Sequence, residues 1–388
     1  MRLFFVFFIS FFAASLFFLG CAAPSPKAEN QAGKVMANAA ATNFSFTEWG
    51  TAGALLLTIK SPWQGGEVQK YLLCPREKIA TLGALPQGVQ LIATPVQRIV
   101  CTSTIQAAML EKLGLADKIV AMSDGKYLYN SDLRAAVASG KILDLGGDQI
   151  IDFEKLIAAR PDIVLLFGLA APAKLQSKLQ ELQISHLYMA EYIENTPLGR
   201  AEWICVLGAL AGDYSKAKQL FDSQIFAPYV QIRAENTPKK AEQKAKPKVL
   251  TGIAYEGVWY VAGGRNFLAT LIADAGGDYI FAADSSAGSV PLAFERVYAE
   301  SQKAEIWINL SEAKTKKQLL GFDARYADFA AFSSGKIYNY HRRCSPNGGF
   351  DVFESAIVQP HLLLADLRHI FHADSVRADS LFYYLPLE

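Results

Sequence analysis

Phe153-Glu154-Lys155-Leu156-Ile157-Ala158 runs into Pro161-Asp162-Ile163-Val164-Leu165, and Phe294-Glu295-Arg296-Val297-Tyr298-Ala299 runs into Ala304-Glu305-Ile306-Trp307-Ile308. The two stretches read almost alike. Each puts an acidic residue in the first turn of a short helix, where the helix dipole favours a carboxylate, and follows it with an apolar run suited to a buried parallel strand. One such unit in each half of the chain predicts two similar α/β lobes. On spacing alone, Glu154 and Glu295 read as helix-start residues.

Outward from the first copy, Arg98-Ile99-Val100-Cys101 reads as a strand, 102–113 as a helix and Lys118-Ile119-Val120-Ala121-Met122 as a second strand. With Ser185-His186-Leu187-Tyr188 as a further strand, residues 97–197 predict an N-terminal lobe with a mostly parallel sheet flanked by helices. Residues 198–235 carry helical periodicity and form the connecting helices, with Pro228 placed to kink or end the second part. A lysine-rich loop over 236–248 reads as a solvated connector. The alternation resumes at Val249-Leu250-Thr251-Gly252 and fills a C-terminal lobe, 249–388. Ahead of the first lobe, Ala54-Leu55-Leu56-Leu57-Thr58-Ile59, broken off by Ser61-Pro62 and Gly65-Gly66, predicts a small β appendage over 44–96.

Leu3 to Leu19 is almost continuously apolar, follows a single Arg2 and ends at Gly20-Cys21-Ala22-Ala23. Residues 1–20 read as an export signal peptide, and a small residue followed by Cys resembles the lipobox of bacterial lipoproteins, although Phe18 stands where that motif has Leu. Cys21 is then the lipidated first residue, and 21–43, poor in apolar side chains, a flexible spacer. An uncleaved anchor is the alternative, and both readings place the body outside the cytoplasm, facing the periplasm. The 38 basic and 37 acidic side chains become 37 against 37 once Arg2 is removed, a neutrality that argues against a nucleic-acid partner. Cys74, Cys101, Cys205 and Cys344 allow three disulfide connectivities, with Cys101 and Cys205 set in apolar runs that suit buried thiols.

Further segments recur in order along the chain. Arg98-Ile99-Val100 leads to Leu113-Gly114-Leu115-Ala116-Asp117-Lys118, and Phe153-Glu154 to Arg160-Pro161-Asp162. Gly263-Gly264-Arg265-Asn266 leads to Asp274-Ala275-Gly276-Gly277, and Phe294-Glu295 to Ala304-Glu305-Ile306-Trp307. Together they resemble the substrate-binding lipoproteins of ABC importers for ferric siderophores, haem and cobalamin. Pro197-Leu198-Gly199-Arg200-Ala201-Glu202-Trp203 and the tail from Phe353-Glu354-Ser355 to Tyr383-Tyr384 are similar to the branch typical of Bacteroidetes. The resemblance implies a class III periplasmic binding protein: two lobes joined by a long helix, no enzymatic activity and no cofactor. It implies a monomer that hands an iron complex, or else cobalamin, to a permease dimer. It also implies that Glu154 and Glu295, one on each lobe, pair with arginines of that permease. Glu305, His361 and Pro228 depart from the family pattern, which touches hinge and docking detail.

Ligand contacts are expected from loops at the carboxyl ends of the strands. The candidates are Tyr127 and Tyr129 in lobe one, and Trp259, Tyr260, Arg265, Arg342 and Arg343 in lobe two. Flat aromatics cover a macrocycle or chelate, and arginine forks suit carboxylates or catecholates. His369 and His372, three apart on a helix, are a weak metal-ligand pair expected to be structural. Ser286 and Ser289 lack a nucleophile elbow, and Gly263-Gly264 lacks phosphate-loop spacing, so no catalytic residue and no metal site are expected. The enzymatic alternative is a tetrapyrrole metal chelatase, with His341 its sole acid-base candidate.

Overall fold

In the computed structural model, residues 32–388 are described, apart from 51–52, 148–150, 169–172, 236–244 and 374. The signal peptide, Cys21 and most of the lysine-rich loop lie outside the described residues. Strands β1 (Ala32–Met36), β2 (Phe44–Trp49), β3 (Ala54–Ile59), β4 (Gln69–Pro75) and β5 (Val89–Thr94) form an N-terminal sheet in sequential order. It is antiparallel through β4 and closes with a parallel β4–β5 pair.

Strand β1 corrects the spacer reading, since Ala32–Met36, ahead of Phe44, is already paired in the sheet. Two buried carboxylates hold this apolar-poor segment by its backbone. Glu202 accepts the amides of Ala39, Ala40 and Ala41, each at 2.8 Å. Glu194 accepts those of Thr42 at 3.0 Å and Asn43 at 2.8 Å, the Thr42 hydroxyl at 2.9 Å and the Trp203 indole at 3.2 Å. Composition argues disorder from missing apolar burial, but charge-assisted hydrogen bonds order a chain without it.

Strands β6 (Ile99–Cys101), β7 (Ile119–Met122), β8 (Leu143–Asp144), β9 (Ile163–Phe167) and β10 (His186–Met189) form the all-parallel sheet of lobe one, in the order β10-β9-β6-β7-β8. The helix Thr104–Lys112 starts with a capping box between Ser103 and Gln106, and Asp152 caps the helix Phe153–Ala158.

The connection is a bent pair of helical segments and not one long rod. Helices Pro197–Glu202 and Ile204–Leu210 end at Gly212, whose φ of 82° only glycine adopts without strain, and Asp213 caps the next helix, Tyr214–Leu220. Pro228 neither ends nor interrupts the second segment. A π-helical turn, Phe221–Phe226, precedes it and the helix runs on through Ala227–Ala234. Proline offers no N–H to the preceding turn, and the widened turn absorbs that loss.

Strands β11 (Lys248–Thr251), β12 (Ala254–Tyr255), β13 (Val258–Ala262), β14 (Asp278–Tyr279), β15 (Ser289–Ala293), β16 (Ile306–Ile308), β17 (Ile337–Asn339) and β18 (Leu385–Pro386) belong to lobe two. The main sheet runs β14-β11-β16-β17-β18, parallel except for β18, and a second, antiparallel sheet runs β12-β13-β15. The repeated motif holds the same station in both lobes. Its helix, Phe153–Ala158 or Phe294–Ser301, leads to the strand paired with the first strand of that lobe's sheet, β9 on β6 and β16 on β11. Among the described residues no helix is long and apolar enough to cross a bilayer.

Replacing Glu202 by Ala strips three main-chain donors of their acceptor and is expected to cost about 3 kcal/mol. Hydrogen exchange of the Glu202→Ala protein should show residues 39–41 losing protection before either lobe does. Wild-type protection there would mean that something other than the carboxylate holds the segment.

Candidate ligand cleft between the lobes

A parallel sheet returns each strand through a crossover helix, so its strands' carboxyl ends share one face, and in this chain those faces meet. Past β7, the loop through Lys126 and Tyr127 touches the loop past β17. Asn347 Nδ2 donates to the Lys126 carbonyl at 2.9 Å and Ser345 Oγ to that of Tyr127 at 3.4 Å. A Cβ on Gly349 would lie 1.5 Å from the Tyr127 carbonyl oxygen, so the approach requires glycine. Glu354 completes this flank by accepting the Tyr129 amide at 3.1 Å. On the other flank, past β10, the Thr270 hydroxyl donates to the Asn195 carbonyl at 3.0 Å, and the Arg200 guanidinium lies 4.2 Å from the centre of the Phe267 ring. The cleft opens between these two bridges.

Tyr127, Tyr260 and Arg265 are exposed. Tyr129 is half-buried beneath Arg343, whose guanidinium lies 4.6 Å from its ring and 4.4 Å from that of Phe382. Arg343 is also paired with Asp351, so its fork is engaged within the protein, against the expectation of an arginine open to ligand. Arg342 is exposed and donates to the Ala378 carbonyl.

Trp259 is a clear correction. It is wholly buried, its indole donates to the Thr251 carbonyl at 2.9 Å, and its ring stacks on Trp307 at 6.0 Å within a cluster that includes Tyr326 and Phe329. Strand alternation sends Trp259 and Val261 inward and leaves Tyr260 59% exposed. Sequence reasoning missed Tyr255, 69% exposed on β12, and Phe353, exposed with its ring 5.1 Å from Tyr340. Their signal was available: large aromatics in short turn-flanked segments beside the strand ends.

A cavity of about 690 Å³ lies beside the Glu354 bridge, lined by Glu111, Tyr129 and Arg134 from lobe one and Arg343, Asp351 and Glu354 from lobe two. Burial, opposed by the Tyr129 amide and reinforced by the Asp351 carboxylate, pushes the Glu354 carboxyl up to about 8.

The described residues contain no group of three His, Cys, Asp or Glu able to hold a metal ion. His369 Nε2 meets the Ser380 hydroxyl at 3.0 Å while His372 Nε2 meets the Ala275 carbonyl at 2.9 Å, so the two imidazoles serve different contacts. Burial, followed by the Lys314 charge, lowers the His341 pKa, and among the described residues no carboxylate pairs with it as a chelatase would require. Gly263 and Gly264 form a packed turn, where added Cβ atoms would meet the Ser286 and Ala282 carbonyl oxygens at 2.3 and 2.2 Å. Cys74, Cys101, Cys205 and Cys344 are free thiols, the first three buried.

Glu154 and Glu295 are exposed in the first turns of their helices. A crossover helix begins at the carboxyl-end side of its sheet, which puts both on the cleft side of their lobes. Arg325 lies 3.3 Å from Glu295, grips Asp323 at 2.7 Å and covers the Phe294 ring at 3.7 Å.

A family profile described as Periplasmic binding protein matches residues 99–343, more than half of the chain. An uncharacterized lipoprotein of Methanocaldococcus jannaschii is 24% identical over 332 residues, covering 82% of this chain and 76% of that protein. The crystal structure of a periplasmic heme binding protein from Pseudomonas aeruginosa superposes with a TM-score of 0.56 at 17% identity, over 72% of this chain and 94% of that one. A possible iron-binding (periplasmic solute-binding) protein from Staphylococcus epidermidis gives 0.54 at 18% identity, over 71% and 99%.

Trp259→Ala is expected to lose about 3–5 kcal/mol in denaturant unfolding, as core aromatics do. Tyr260→Ala should stay within about 0.5 kcal/mol of wild type. Glu354 makes stability depend on pH. The folded chain keeps this proton up to about 8 while the unfolded chain releases it near 4.5. Its stabilising contribution is therefore complete below the lower value and is lost as pH rises through the upper one. Melting curves from acid to mildly alkaline pH should show wild type falling progressively relative to Glu354→Gln. Parallel curves would remove Glu354 as the source.

Proposed function

The chain belongs to the periplasmic binding protein family, and we propose that it is the membrane-anchored solute receptor of an ABC importer, held by a lipid on Cys21. It captures an iron complex, a ferric siderophore or haem, outside the inner membrane and delivers it as a monomer to the permease dimer. The observation that carries this reading is the cleft: two lobes whose strand ends face each other, with Tyr127 and Phe353 exposed on loops past those ends and Tyr255 and Tyr260 exposed on the small antiparallel sheet of lobe two. Flat π-faces suit a macrocycle or an aromatic chelate, and Arg265 adds a cation for its acidic groups. Cobalamin is the alternative solute. An absorbance spectrum of protein purified from its native host separates these ligands, and a cobalamin signature would replace the iron reading. Nothing favours the chelatase alternative, since among the described residues His341 has no carboxylate partner with which to take up the pyrrole protons.

Docking runs through Glu154 and Glu295, one exposed carboxylate on each lobe, set to meet basic residues on the two permease subunits. Reversing either to Arg should leave folding and solute affinity nearly unchanged, since exposed charges contribute little to stability. Uptake in cells lacking other receptors should collapse, because like charges facing each other across an interface cost several kcal/mol. Normal uptake by both charge-reversed proteins would return these glutamates to ordinary helix-start residues.

A further inference from the structure

The N-terminal sheet lies outside the part of the chain that matches the family, yet one of its loops reaches the cleft side of lobe one. Residues 61–66, between β3 and β4, pack where β9 and β10 end. The Pro62 carbonyl oxygen comes so near Gly168, directly after β9, that a Cβ there would lie 2.0 Å from it. The Trp63 ring meets that of Tyr188, on β10, edge-on at 5.0 Å. The Tyr192 hydroxyl, past β10, donates to the Gly168 carbonyl and is hydrogen-bonded to the main chain of Gln64.

The loop is a tight turn with a defined shape. The Gly66 amide donates to the Trp63 carbonyl at 2.8 Å, Gly65 has a φ of 77°, and a Cβ on Gly66 would run into the Trp63 ring at 2.8 Å. Trp63 is half-buried while Gln64 and Gly65 are exposed. Since the strand ends of lobe one face lobe two, and Asn195, three residues beyond Tyr192, already touches Thr270 of that lobe, the exposed tip of the turn stands at the cleft's flank.

We propose that residues 61–66 form a third wall of the cleft, with the Gln64 carboxamide and the edge of Trp63 contacting the bound solute. This rests on reading the cleft as the solute site. The wall is uncharged: it offers one amide donor group, one carbonyl acceptor and an aromatic edge, which suits the carboxylate or carboxamide rim of a flat or macrocyclic metal complex. The appendage thereby becomes a determinant of which solute is held.

The mature chain is titrated with haemin and with cyanocobalamin, as wild type, Gln64→Ala and Trp63→Phe. For whichever probe binds wild type, Gln64→Ala should weaken affinity about fivefold, the worth of one hydrogen bond, with an unchanged melting temperature. Tryptophan emission gives a second readout. Trp49, Trp203, Trp259 and Trp307 are at most 6% exposed, so quenching by acrylamide reports Trp63, and bound probe should shield it. Unchanged affinity in both variants, with Trp63 equally quenchable in free and loaded protein, overturns the wall and leaves the loop as a cover for the edge strand β10. If wild type binds neither probe, the ligand assignment fails by itself, and geometry decides the wall. In a Cys344→Ser chain, Gln64→Cys and Arg265→Cys should be joined by a short bis-maleimide across the cleft. Failure to join, while both thiols accept a mono-maleimide, overturns it.

Discussion

Parallel strand pairing is the constraint from which most of this molecule follows. Each strand of a parallel sheet must be re-entered from the same end, so every loop that leaves a strand and every crossover helix that starts there gathers on one face. Lobe one obeys this throughout and the main sheet of lobe two does so up to its last strand, β18, while β12, β13 and β15 form a separate antiparallel sheet. Setting those two faces against each other brings the loop through Tyr127 onto the loop through Ser345, 218 positions away. On the proposed reading, capture and docking then share a side of the molecule because of backbone geometry.

The lobes are not held by that geometry alone. Glu194 takes the Thr42 and Asn43 amides and the Trp203 indole on its carboxylate, while its own carbonyl accepts Arg200 Nε at 3.1 Å. Arg200 in turn stacks on Phe267 of lobe two. One short stretch, 194–203, therefore ties the N-terminal segment, the end of lobe one, the connecting helices and the second lobe into a single joint. A buried charge must be matched by donors or it destabilises the fold, so these acids fix positions as much as they add stability. With Gly349 pressed against Tyr127 on the opposite flank, wide separation of the lobes would break contacts on both sides at once.

The repeated motif was legible because two local rules coincide in it: a carboxylate at a helix start and an apolar run with no polar face. Alternation along β13 was legible too, but not its sign. Trp259 and Tyr260 have equal claims to the cleft until the packing of Trp307, Tyr326 and Phe329 shows which side is the core. Arg343 presents the same problem, because its partners are Asp351, eight residues on, and two rings from distant segments. The strand at 32–36 was invisible for a different reason. It pairs with β2, and the stretch that follows it, 39–43, is held by Glu202 and Glu194, more than 150 positions away, which no property of the segment itself announces.

The two proposed docking glutamates also differ in a way their sequences conceal. Among the described residues Glu154 has no ion-pair partner, while Glu295 has Arg325 at 3.3 Å, itself fixed by Asp323 and by the Phe294 ring. An exposed pair of this kind is weak, so Arg325 does not remove Glu295 from use; it orients the carboxylate and screens part of its charge. An arginine arriving at lobe two must share or displace that neighbour, whereas one arriving at lobe one meets an unshared carboxylate. Long-range attraction is then stronger toward lobe one, and lobe two contributes the better-positioned acceptor. On the docking reading, the two lobes act unequally, with lobe one steering the encounter and lobe two fixing its register.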